Sequence, residues 1–179
     1  MRSDARHQPA HGTRAAWSLL AALASLGASC ARQPLSADAP DAAAYLELVM
    51  PREIEIQRYL TKPARLDGAE RANGIEVILA ARDELGDLVK SAGVFIFELH
   101  QVRPASGDRA GMRLAMWRVE IRTPDDMRRY WDRLTRFHDF PLQLEHGTLA
   151  PGRYILRAQL ETPGGPRLFD EYRFTHEGD

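Results

Sequence analysis

A mainly β chain folding as a single antiparallel β-sandwich of about seven strands, with one short helix crossing near residues 124–134, is what this sequence predicts. Three observations carry that expectation. Runs of alternating apolar and polar residues recur from residue 53 to the C-terminus, each about the length of a strand with one buried face. Turn-forming segments separate them; the densest is Thr162-Pro163-Gly164-Gly165-Pro166, which combines fixed φ, positive φ and missing donors. Only the stretch after Thr123 changes to helical spacing. A length of 179 residues suits one domain, and 44% hydrophobic residues suffice for a core.

The elements follow in order. Glu53-Ile54-Glu55-Ile56-Gln57 alternates cleanly, with Pro51 where a first strand tolerates it. Residues 61–74 are polar, are punctuated by Gly68 and Gly74, and read as a loop; its Asp67, Glu70 and Asn73 lack the denser spacing of a calcium loop. Ile75, Val77, Leu79 and Ala81 share one face of a second strand, and Arg82 to Asp87 has turn composition. Val94 to Leu99 is apolar on both faces, as a central strand should be. After a loop from Arg103 to Gly111, Ala115, Trp117, Val119 and Ile121 face inward. Thr123 then caps a helix, Pro124 suits its first position, and Asp125 and Asp126 complement its positive start. Met127, Tyr130, Trp131 and Leu134 fall on one side of it. Phe140, Leu142 and Leu144 make another strand. In the final hairpin Tyr154, Leu156, Ala158 and Leu160 point inward and Ile155 stands alone as an apolar residue on the wet side; Leu168, Tyr172 and Phe174 resume the inward face. Asp170 shares their parity, which a strand end, a bulge or a buried hydrogen bond would resolve.

The run Leu149-Ala150-Pro151-Gly152-Arg153-Tyr154 resembles the L-x-P-G-x-Y corner before the penultimate strand of immunoglobulin-like and fibronectin-type sandwiches. That resemblance implies an immunoglobulin-like or transthyretin-like sandwich in which the Tyr154 hydroxyl bonds back to nearby backbone. Trp117 is similar to the tryptophan such domains carry mid-core. With one cysteine in the chain, this would be a relative without the intersheet disulfide. The likeness implies nothing about activity.

The N-terminus reads as an address. Arg2, Arg6 and Arg14 form a positive region, Ala15 to Ala28 is a short apolar run, and small residues lead into Cys30. Leu26-Gly27-Ala28-Ser29-Cys30 resembles a bacterial lipoprotein box, although Gly27 stands where the box favours Leu. The resemblance implies a signal peptide over 1–29 and lipidation at Cys30; the Ala-, Pro-, Asp- and Ser-rich residues that follow read as a lipid-anchored flexible tether over 30–50, with a short helix from Ala42 to Met50, ahead of a sandwich domain over 51–176. Without the leader, 21 basic and 24 acidic residues leave a net charge of −3, so no basic field for nucleic acid exists. The expected location is extracytoplasmic, at a membrane of the periplasm or cell envelope.

No motif reaches the standard of an active site. A G-x-S-x-G elbow is absent, and His100, His138, His146 and His176 have no metal-ligand spacing, so each reads as a surface or strand-edge residue. No cofactor and no metal are expected. The richest chemistry lies in residues 128–140, where Arg128, Tyr130, Trp131, Arg133 and His138 form a candidate partner-binding set, since Trp, Tyr and Arg favour interfaces. The competing reading is a helix packed on a sheet edge with its arginines in water. The functional expectation is a non-catalytic binding or envelope-interaction module, with an envelope protein or polysaccharide as partner and the membrane reached through the lipid. The alternatives are a small-molecule carrier and an envelope enzyme sited at His138 and Asp139.

Overall fold

The computed structural model of the chain describes residues 40–102 and 110–178. Cys30, the leader, most of the tether and the loop residues 103–109 lie outside the described residues. Residues 40–179 form one compact unit, and every core residue belongs to it.

Helix α1 (Pro40–Val49) is followed by β1 (Glu53–Ile56), β2 (Lys62–Ala64), β3 (Gly74–Arg82), β4 (Gly93–Val102) and β5 (Ala110–Ile121). Helix α2 (Pro124–Tyr130) then leads to β6 (His138–Gln143), β7 (Gly152–Glu161) and β8 (Arg167–His176). All pairing between these strands is antiparallel. In one sheet β3 is central: β1 and β2 lie end to end along one edge of it, and β6 along the other. The second sheet runs β5-β4-β7-β8. The expected β-sandwich is therefore present, with Val77, Leu79, Phe95, Phe97, Phe140, Leu156 and Leu160 buried between the sheets. β4 is central, as its two apolar faces predict.

The eighth strand is β2, where the sequence reads as loop. Three residues including Pro63 carry no alternation, yet they find free ladder groups on β3 beside β1. Asn73 fastens the rest of that segment, its Oδ1 accepting from Leu66 N at 2.7 Å. The turn after Arg82 forms, but β4 does not pair back on β3; the chain crosses to the other sheet. Gly93 opens β4 at φ 150°, where an added Cβ would collide with the Glu161 carbonyl oxygen on β7.

Four expectations need correction. Ile155 is 1% exposed rather than on the wet side. It lies outside the main core, on the other face of β7, where it pairs in register with His100 and Arg173. Trp117 is not mid-core: it sits half-buried on the edge strand β5, with its Nε1 donating to Gln143 O at 2.6 Å. α2 ends at Tyr130, because Trp131 adopts an extended conformation at its C-cap, so Leu134 is not on a helical face and is 94% exposed. His138 is not a surface residue but is fully buried on β6.

Two expectations at the chemical level hold. The Tyr154 hydroxyl donates to Ala150 O at 2.5 Å, and burial raises its pKa. Asp170 resolves its parity by a hydrogen bond: its Oδ2 accepts from Ile56 N at 2.7 Å, joining β8 to the edge of β1.

Candidate functional site

Helix α2 carries the chain from β5 to β6, and its capping is complete. The Thr123 side chain accepts from Asp126 N, and the Asp126 carboxylate accepts from Thr123 N at 2.9 Å and Arg122 N at 3.1 Å. Those donors hold the Asp126 pKa below the usual carboxylate range. The stop is equally local. Trp131 forms an isolated bridge with His138, and residues 132–137 close a tight loop in which Asp132 N donates to Phe137 O and Arg136 N to Asp132 O, both at 3.0 Å. Arg136 takes φ 60° to close it.

This loop meets the β3–β4 connection. Arg136 Nη2 donates to Leu88 O at 3.0 Å, and Ser91 N donates to His138 Nε2 at 3.3 Å. Between the two segments lies a hollow of about 600 Å³ lined by Leu88, Lys90, Trp131, Arg133 and Arg136, with Val49 at the end of α1. The Lys90 ammonium stands 5.8 Å from the Trp131 ring centre, a cation over an aromatic face. Three cations thus line the hollow together with one indole, and among the described residues no carboxylate lines it.

Beneath the indole, His138 is enclosed by aromatic rings: Trp131 at 4.9 Å, Phe95 at 5.3 Å and Phe140 at 6.0 Å between centroids. Burial lowers its pKa to about 4, and the Ser91 N–H donated to Nε2 favours the same neutral ring. Because its Nε2 accepts from a backbone N–H, the ring of neutral His138 carries its proton on Nδ1. The imidazole supports the Trp131 ring and does not reach solvent.

The predicted set therefore divides. Trp131 and Arg133 line the hollow. Tyr130 stacks on Phe140 at 5.3 Å as packing, and Arg128 is exposed and ion-paired with Asp125 within the helix. His138 and Asp139 point to opposite faces of β6. Asp139 lies on the outer face with Glu76 and Asp132, and burial first, then those two carboxylates, raises its pKa against the opposing pull of Lys62. Sequence reasoning misses Lys90, Leu88 and Val49, since they are 40 residues or more from Trp131 and the tie between loops has no local signal. Among the described residues no group of three or more His, Cys, Asp or Glu side chains could hold a metal ion.

Comparison of the chain with protein-family models, with curated proteins and with solved structures finds no match.

Proposed function

We propose that this chain is an extracytoplasmic lipoprotein, anchored through Cys30, whose immunoglobulin-like domain acts without catalysis as a binding module for anionic groups of the cell envelope. The observation that carries the reading is the hollow itself: Lys90, Arg133 and Arg136 line it with Trp131, and among the described residues its lining includes no carboxylate. Such a site favours a negatively charged group that can lie against an aromatic face. The strand order, with β5-β4-β7-β8 facing β1-β3-β6, and the Tyr154 hydrogen bond support the immunoglobulin-like reading. The leader pattern and the sole cysteine at its end support the anchor.

One experiment addresses both halves. A Cys30→Ser chain should move from the membrane fraction to the soluble fraction, and the released chain should be retained on a polyuronate resin but not on neutral dextran. Adding Trp131→Ala and Arg133→Ala should abolish that retention. A Cys30→Ser chain that stays with membranes through a high-salt wash, which removes electrostatic contacts, refutes the anchor; retention that ignores the two substitutions refutes the site.

A further inference from the structure

The hollow is cationic, but Val49, Leu88 and Val89 line it as well, and exposed aliphatic residues neighbour its lining in the chain. Val49 at the end of α1 is 60% exposed, and Leu46 and Leu48 on the same helix are exposed as well. Leu134, at 94% exposure, stands in the short loop between Arg133 and Arg136, and Leu85, at 75%, stands in the turn that leads to Leu88. Large aliphatic side chains this exposed give up their transfer free energy to no part of the fold. Their company is equally unusual: no ion pair joins Lys90, Arg133 or Arg136 to a carboxylate among the described residues. Of the acids close by in the chain, Glu84 pairs with Arg52 at 3.4 Å and Asp132 accepts from Leu134 N at 2.7 Å, while Glu47 on α1 is exposed.

Exposed leucines beside unpaired arginines, around an indole, are the composition of a surface that lies in a membrane interface. Aliphatic side chains enter the acyl boundary, the amphipathic indole stays at headgroup depth, and the cations meet phosphates. We infer that this corner docks on a bilayer rich in acidic phospholipid, with Leu134 and Val49 inserting and with Lys90, Arg133 and Arg136 holding headgroup phosphates. The inference rests on the anion-binding reading of the same hollow and names its partner. It also gives the domain a second, reversible membrane contact beside the lipid at Cys30.

The test uses residues 40–179, which contain the whole core, in co-sedimentation with vesicles of phosphatidylglycerol mixed with phosphatidylcholine and with vesicles of phosphatidylcholine alone. Binding is expected to the acidic vesicles only and should fade in high salt. Arg133→Ala with Arg136→Ala should weaken it about 30-fold, from the usual contribution of each basic residue near an anionic surface. Leu134→Ser should weaken it about fivefold. That side chain is almost wholly exposed and its loss leaves the fold intact, so its effect cannot be mistaken for unfolding. Equal binding to neutral vesicles, unchanged binding by the Leu134→Ser chain, or no vesicle binding overturns the inference. Retention on polyuronate without vesicle binding would overturn the lipid assignment alone, whereas failure of both would overturn the anion-binding reading with it.

Discussion

At neutral pH the His138 ring is uncharged and serves as an aromatic filler with one hydrogen-bond acceptor, wedged between Phe95, Phe140 and Trp131. Its folded pKa of about 4 lies below the ordinary value of 6.5, so the unfolded chain binds more protons between those limits. Stability from this group is complete above about pH 6.5 and is lost as pH falls towards 4. The full effect approaches about 3 kcal/mol, since each unit of pKa difference is worth about 1.4 kcal/mol. Urea unfolding followed from pH 7 to pH 4 should show that decline, and His138→Gln should flatten it; an equal decline in the variant would assign the acid sensitivity elsewhere. The burial of this residue is hardly legible in the sequence. A histidine between Phe137 and Asp139 fits a strand edge as well as a core, and two of the groups that meet it, the Phe95 ring and Ser91 N, lie far away in the chain.

Among the elements, the final hairpin is legible in its register, because period-two alternation on both sides of Thr162 to Pro166, interrupted at Ile155 and Asp170, sets one pairing and one main inward face. β2 is not, since three residues with a proline carry no pattern and pair only because β3 is longer than β1. Helical spacing beyond Tyr130 misleads, because the bridge between Trp131 and His138 ends the helix before the pattern does. The candidate site is half legible for the same reason: Trp131 and Arg133 belong to one local run, whereas Lys90 and Val49 reach the hollow only through tertiary packing. The tie between β1 and β8 shows what one side chain can do for an element. Asp170 accepts from Ile56 N at 2.7 Å and from Glu171 N at 2.8 Å, so its carboxylate stands where a neighbouring strand's carbonyl would. Asp170→Ala should destabilise the domain by about 2 kcal/mol in urea unfolding, as expected for a hydrogen bond to a charged group, and Asp170→Asn should recover most of the loss. No change in Asp170→Ala would mean that the Ile56 N–H finds water instead.

At the scale of the molecule, the core begins at Ile54 and every buried residue of it lies in the two sheets or the loops between them. Removing residues 1–45 should therefore shift the thermal midpoint by no more than about 2 °C, since the core of the described residues lies wholly C-terminal to the cut. A loss of many degrees in a calorimetric scan would show that the segment before β1 is part of the fold. The hydrogen bond from Ile56 to Asp170 spans 114 positions of chain. The first strand is thus clasped by the last, and the loop that must close to bring them together is most of the domain. Contacts so distant in sequence slow folding, because the entropy of closure is lost before the contact forms. A chain emerging from its N-terminus can pair β1 with β3 early but leaves the other edge of β1 open until β8 has followed it, and the sandwich is completed late, by its final strand.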